Sequence, residues 1–320
     1  MSLPRYASLD VGSNTVRLLI AERMAGGEIR PLRVERSITR LGGNFSTEGN
    51  LDESAMGRTL KTLSAFADLL KREGLENIFA VTTGVLREAK NGKAFIERVF
   101  KRTGLSLRLV SGEEEACLML KGVLWSLKDQ TATQIVADVG GWSTEVLWVE
   151  GHKPKKTRSV QLGTVALAER FLREDPPRPP ELEFLERFTK EVLKEMREGF
   201  EREGLAVEDL HSQLVGTAGS ITTLAAIDQE LLVYDPPKIN GYRISRPALE
   251  EIYLRLRALP IKERRNVPGL EKGREDLIVA GAVVVLQLLE VFGLEGLVVS
   301  DSGLLEGVLL DGLEQGAYSA

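Results

Sequence analysis

The sequence predicts an α/β chain of two related domains facing one another across a cleft, and three observations carry that reading. An aspartate-led turn between two apolar strands occurs twice, as D-V-G-S-N-T at 10–15 and D-V-G-G-W-S-T-E at 138–145. Each copy opens a mixed run of strands and helices, and a spacing this long is too great for a solenoid but fits duplicated domains. The chain has 320 residues, more than the roughly 250–300 at which single cores usually stop growing.

The elements follow in order. Y-A-S-L-D-V-G-S-N-T-V-R-L-L-I-A reads as strand, Gly-Ser-Asn turn and strand. A third strand is expected at 29–38, then the glycine-rich loop L-G-G-N-F-S-T-E-G. Met56, Leu60, Leu63, Phe66 and Leu70 recur at helical spacing, which predicts a helix over 52–73. Strand 78–83, helix 85–103, strand 105–110 and helix 112–127 complete the first run. The pattern restarts near 134 with Q-I-V-A-D-V-G-G-W-S-T-E-V-L-W-V, again strand, turn and strand. K-P-K-K-T-R at 153–158 fits a hairpin tip, and the proline-rich 174–181 launches a long helix to about 203. Q-L-V-G-T-A-G-S-I-T-T-L reads as strand, glycine loop and helix. A helix at 247–258, a buried helix at 274–292, a strand at 296–300 and a last helix from Gly303 close the chain. The domain join falls near 122, giving 1–121 plus 304–320 as one domain and 122–303 as the other.

Composition excludes several classes. The chain is 43% apolar and 28% charged, as soluble globular proteins are, and its net charge of −5 argues against a main role in DNA binding. One cysteine, Cys117, allows no disulfide framework, so a cytoplasmic location is expected and the thiol reads as a small buried hydrophobe. The longest apolar run, 277–286, is too short to span a bilayer, so no membrane partner is expected. His152 and His211 have no metal-ligand spacing to each other or to the cysteine, which disfavours zinc. Neither a P-loop nor a dinucleotide fingerprint is present.

The repeated turn carries the chemistry. Successive backbone N–H groups in a glycine-rich turn can converge on phosphate oxygens. Gly12, Ser13, Asn14, Gly140, Gly141, Ser143 and Thr144 are the candidate phosphate ligands. Asp10 and Asp138 end the preceding strands, where carboxylates can hold hydrated Mg²⁺ against phosphates. V-G-T-A-G-S-I at 215–221 offers Gly216, Thr217, Gly219 and Ser220 as a nucleotide or anion site, although a plain strand-to-helix turn explains it equally well. In S-G-E-E-E-A, Ser111 and Glu114 form a capping box and Glu113 suits a helix start; Glu115 is left unassigned. Arg17 and Arg87 are the guanidinium candidates for phosphate.

Together these segments resemble the exopolyphosphatase / guanosine pentaphosphate phosphohydrolase family, within the actin-like ATPase superfamily, from about residue 5 to 312. The two turns match the family's phosphate motifs, T-T-G-V-L-R-E-A-K-N places Arg87 and Asn91, and S-G-E-E-E-A places Glu115 at the catalytic base. L-G-T-V-A-L-A-E-R-F, G-T-A-G-S-I-T-T-L-A and V-S-D-S-G-L-L-E-G match later segments in order. The resemblance implies two actin-like, ribonuclease H-like domains and hydrolysis of a terminal phosphoanhydride. The substrate would be polyphosphate or guanosine pentaphosphate, with Mg²⁺ or another divalent cation held by Asp10, Asp138 and Glu145. A homodimer stays open. Trp142 stands where the family turn has a third glycine; tryptophan at positive φ is strained, which predicts an altered turn geometry. That residue also motivates the alternative of a catalytically impaired binding protein with the same fold.

Overall fold

The computed structural model describes residues 3–45, 49–127 and 133–317. The chain divides into two compact units, Met1–Gly122 with Leu304–Ala320, and Val123–Gly303.

In the first unit, β1 (Arg5–Val11), β2 (Thr15–Arg23) and β3 (Ile29–Ile38) form an antiparallel meander. Next come α1 (Glu53–Arg72), β4 (Ile78–Thr82), α2 (Val85–Glu88), α3 (Gly92–Thr103), β5 (Arg108–Leu109) and α4 (Gly112–Ser126). The sheet order is β3-β2-β1-β4-β5, with β4 parallel to β1 and β5 parallel to β4. Ala7–Val11 and Leu18–Ala21 are buried on both faces of the sheet, so these strands read as nearly continuous apolar runs. Asp52 caps α1 by accepting from the Ala55 N–H at 2.9 Å, which satisfies an orphan donor of the first turn.

The helix expected at 85–103 is two helices. Asn91 accepts from Leu51 N–H at 2.9 Å and donates to Leu51 C=O at 3.1 Å, and Ala89 is extended at ψ 129°. A long-range side-chain contact, invisible to local periodicity, sets that break. The strand expected at 105–110 is reduced to Arg108–Leu109. Cys117 is exposed, a correction to the buried reading, because α4 buries Ala116 and Leu118–Leu120 and turns residue 117 outward.

The second unit repeats the plan. β6 (Gln134–Val139), β7 (Thr144–Glu150) and β8 (Lys153–Val160) form the meander. They are followed by α5 (Thr164–Phe171), α6 (Pro179–Arg202), β9 (Gln213–Thr217), α7 (Gly219–Asp228) and α8 (Pro236–Ile239). β10 (Arg243–Ser245), α9 (Arg246–Ala258), α10 (Ile261–Arg264), α11 (Ile278–Phe292) and β11 (Gly296–Val299) complete it. The order β10-β11-β9-β6-β7-β8 places β9 parallel to β6 and β11 parallel to β9, as β4 and β5 lie in the first sheet. Residues 153–158, expected at a hairpin tip, belong to the edge strand β8; the tip is Gly151 and His152, both at positive φ. Proline at 154 is tolerated there because an edge strand has one unpaired side.

α11 is apolar nearly all round and lies in the core with Leu185, Leu193, Phe200 and Leu249. Its 15 residues span about 22 Å, short of the ~30 Å hydrocarbon core. No helix among the described residues is long and apolar enough to cross a membrane.

The last helix, α12 (Leu304–Ala317), packs on the first sheet, where Leu305, Leu309 and Leu313 cluster with Leu19 and Ala21. Gly307 and Gly312 permit the approach: a Cβ would lie 1.7 Å from Leu118 O and 2.4 Å from the Phe79 ring. Lys121 Nζ ties α4 to α12 through Asp311 at 2.9 Å and Glu314 at 2.8 Å.

Candidate active-site elements

The first turn closes with Gly12 N–H donating to Thr15 C=O at 3.0 Å. Its next two carbonyls face the loop after β3: Ser13 C=O accepts from Gly42 N–H, and Asn14 C=O from Thr39 and Arg40 N–H. The cis bond at Asp175–Pro176 is the one cis peptide recorded among the described residues, so these units are trans, with C=O and N–H pointing opposite ways. The N–H groups of Asn14 and Thr15 therefore point away from that loop. Asp10 is 5% exposed and sits opposite Arg17 in the β1–β2 ladder. Arg17 donates twice to Asp10 Oδ2, from Nε at 3.0 Å and Nη2 at 2.6 Å. Arg17, expected as a phosphate ligand, here lies against Asp10. Asp10 Oδ1 is buried with no hydrogen-bond partner among the described residues. Ser13 Oγ accepts from Val85 N–H at 3.4 Å.

The second turn closes the same way, Gly140 N–H to Ser143 C=O at 3.1 Å. Trp142 is not among the residues at positive φ, so the backbone strain a tryptophan would carry there is absent. All three turn carbonyls are taken by the start of α5: Gly140 C=O by Thr164 N–H, Gly141 C=O by Val165 N–H, and Trp142 C=O by Gly163 N–H. By the same planarity argument the N–H groups of Gly141, Trp142 and Ser143 point away from α5, three donors in succession, which is the form of an anion-binding nest. Gly163 makes this possible, because a Cβ there would lie 2.0 Å from Trp142 C. Thr144 donates its hydroxyl to Leu162 C=O at 2.8 Å, so it buttresses the turn from within.

Asp138 lies opposite Glu145 in the β6–β7 ladder, and both are buried. Cβ atoms of directly opposed residues are about 4.5–5.5 Å apart, so two carboxylates share one face at the mouth of the nest. Glu145 Oε1 accepts from Ser143 Oγ and from Ser159 Oγ, each at 2.7 Å. Among the described residues no three His, Cys, Asp or Glu side chains form a cluster able to hold a metal ion. Carboxylate oxygens from one or two residues, with phosphate and water completing the shell, nevertheless suit Mg²⁺, which dehydrates reluctantly. The orphaned Asp10 Oδ1 and the Asp138–Glu145 pair are oxygen donors of the right hardness.

Glu115 lies in the first turn of α4 and is buried. Arg87, from the short α2, donates from Nη1 to Val110 C=O at 2.9 Å and to Glu115 Oε2 at 3.3 Å. The structure therefore brings the candidate base and a candidate phosphate arginine together. Asn91 serves the backbone of Leu51, as described above. Ser111 Oγ accepts from Glu114 N–H at 3.1 Å, while the Glu114 carboxylate pairs with Arg108 instead of closing the capping box.

The loop at 215–220 is held from every side. Ser300 N–H donates to Gly216 C=O at 2.8 Å, and Thr217 Oγ1 to Ser302 C=O at 3.0 Å. Ala218 adopts φ 78°, ψ 170°, a region that is essentially reserved for glycine. The Arg274 guanidinium lies against Gly219, where a Cβ would sit 1.9 Å from Nη2. Ser220 packs against Gly281, whose Cβ would fall 2.8 Å from Ser220 Cβ. Sequence reasoning missed Arg274 and Ser159. Both contacts cross the fold, and the one available signal for Ser159 was its place across the hairpin from Glu145.

Comparisons with known proteins point to one family. The model of the Ppx/GppA phosphatase family matches residues 19–315. Exopolyphosphatase 2 of Mycobacterium tuberculosis is 33% identical, over 97% of this chain and 99% of its own. A guanosine-5'-triphosphate,3'-diphosphate pyrophosphatase of Vibrio parahaemolyticus is 26% identical, over 98% of this chain and 60% of its own. The crystal structure of the Aquifex aeolicus Ppx/GppA family member superposes with a TM-score of 0.81 and 31% identity, covering 98% of this chain and 99% of that one.

Proposed function

The chain belongs to the Ppx/GppA phosphatase family, and on that premise we propose that it hydrolyses the terminal phosphoanhydride bond of inorganic polyphosphate, guanosine pentaphosphate or both. The observation that carries the reading is the second turn, where three successive N–H donors face away from α5 beside Asp138 and Glu145. Relatives bearing the names exopolyphosphatase and guanosine-5'-triphosphate,3'-diphosphate pyrophosphatase support the same chemistry.

In this mechanism the N–H groups of Gly141, Trp142 and Ser143 and those of Asn14 and Thr15 bind phosphoryl oxygens. Asp10, Asp138 and Glu145 would hold Mg²⁺, which neutralises phosphate charge when bound. Glu115 orients a water and takes its proton as the water oxygen bonds to the terminal phosphorus. The bridging P–O bond breaks, its oxygen stays with the shortened chain, and orthophosphate leaves. General-base help of this kind is worth about 10²–10⁴-fold in rate. Arg87 holds Glu115 before substrate arrives and has a guanidinium suited to a phosphoryl oxygen. Gly216, Thr217, Gly219 and Ser220 form the second loop, to which we assign the remainder of the substrate.

The test is orthophosphate release from long-chain polyphosphate and from guanosine pentaphosphate with Mg²⁺, wild type beside Glu115→Gln. Release that the substitution abolishes is the expected result. Binding of either compound without any release by the wild type sinks the hydrolase reading.

A further inference from the structure

We infer that Ser159 is a positioning residue for Glu145, holding that carboxylate in the orientation that receives the divalent cation. This rests on the proposed role of Glu145 above. Ser159 is the cross-strand partner of Glu145 in the β7–β8 ladder, so the two side chains project from the same face. Its hydroxyl donates to Glu145 Oε1 at 2.7 Å, and Ser143 Oγ donates to the same oxygen at the same distance. Two donors on one carboxylate oxygen, one from the turn before β7 and one from β8, fix the rotation of the group, which a single donor would leave free.

The support behind Ser159 is firm. On the opposite face of β8, Arg158 stacks 5.5 Å from the Phe200 ring centroid and pairs with Glu203 at 2.8 Å. That contact anchors β8 against α6, and a rigid neighbour is what a positioning group needs.

The first hairpin provides the internal control. There Arg17 occupies the place of Glu145, and its cross-strand partner on β3 is Arg36. A hydroxyl partner thus accompanies the acidic copy of the turn and an arginine the basic copy. Ser159 belongs to the specialisation of the second turn, beyond the needs of a hairpin.

The experiment compares Ser159→Thr with Ser159→Val, a pair of nearly equal shape that differs in the hydroxyl, alongside Ser159→Ala. Mn²⁺ binding to the full chain is measured directly by electron paramagnetic resonance, with thermal midpoints recorded for each variant. Outer-shell partners of metal ligands are typically worth 10–100-fold in affinity, so Ser159→Val and Ser159→Ala should weaken Mn²⁺ binding by about 10-fold or more. Ser159→Thr should bind Mn²⁺ as the wild type does. Equal Mn²⁺ affinity for the threonine and valine variants overturns the inference. So does a wild type that binds no Mn²⁺. A wild type that releases phosphate while all three variants bind Mn²⁺ equally removes Ser159 and leaves the hydrolase reading standing. A wild type that binds Mn²⁺ yet hydrolyses neither substrate removes that reading alone.

Discussion

Arg17 donates from both Nε and Nη2 to a single oxygen of Asp10, so the aspartate of the first turn is half of a neutral pair. At the matching register of the second turn Asp138 faces Glu145, and the charge at that position is reversed. The duplicated hairpins share geometry and differ in electrostatics. The proposed cation is therefore assigned to the second turn, where two carboxylates are opposed.

Removing Arg17 tests the pair. Asp10 is buried, and a buried carboxylate left without its cation is costly. Arg17→Ala should destabilise the chain by about 2–4 kcal/mol in urea unfolding, discounted from the fully buried case because the arginine is partly exposed. Adding Asp10→Asn should recover part of the loss. A change of a few tenths of a kcal/mol would show that the pair contributes nothing net.

Substitutions at Gly163 and Trp142 lose stability for different reasons. A Cβ at 163 would overlap the Trp142 backbone, which cannot rotate aside as a side chain can. Gly163→Ala should lower the thermal midpoint markedly and abolish phosphate release. Trp142→Gly relieves no backbone strain, since the residue has no positive φ. It should therefore cost stability, by roughly 0.5–1 kcal/mol from backbone entropy. A gain in midpoint would mean the turn is strained after all.

Ala218 is the converse case. At φ 78°, ψ 170° its Cβ is strained, at a cost of order 1–3 kcal/mol. Ala218→Gly should stabilise the chain by about 1 kcal/mol once the greater freedom of the unfolded glycine is subtracted. Urea titration of the single variant decides it, and any loss of stability contradicts the assignment of strain.

Tyr242 gives a pH dependence. Burial, then the hydrogen bond to Asp228 at 2.8 Å, pushes its hydroxyl up from 10.0 to about 12. The folded chain keeps this proton when the unfolded chain has lost it, so the unfolded state binds fewer protons between these values. Stability is fully present below pH 10 and falls as pH rises toward about 12. Tyr242→Phe should flatten that part of the profile, measured by urea unfolding from pH 8 upward. An unchanged slope would assign the alkaline loss elsewhere; Tyr253, raised by burial and then Glu186, is the next group to substitute.

Much of this fold was legible where local pattern and packing agree. The hairpins at 10–15 and 138–145, strand β3 and helices α1 and α6 follow from alternation, periodicity and proline placement. The α2–α3 break was not legible, because an amide 40 residues away in sequence from its partner sets it. β8 was mistaken for a hairpin tip because its lysines and proline suppress the strand signal, and only its place at a sheet edge accounts for them. The turns announced themselves by repetition. Ser159 and Arg274 did not, since each acts on a residue more than ten positions distant through contacts that the backbone alone brings about.

The bonds between the second turn and α5 have one more consequence. Each peptide from 140 to 143 points its oxygen at the start of α5, parallel to the peptides within that helix. The turn therefore extends the helix's row of aligned dipoles by one layer, and the positive end, worth about half a charge, emerges on the N–H groups of residues 141–143. Anion affinity at this turn is in that sense a property of α5. Unwinding the first turn of α5 would discharge the nest without altering a single residue of the turn itself.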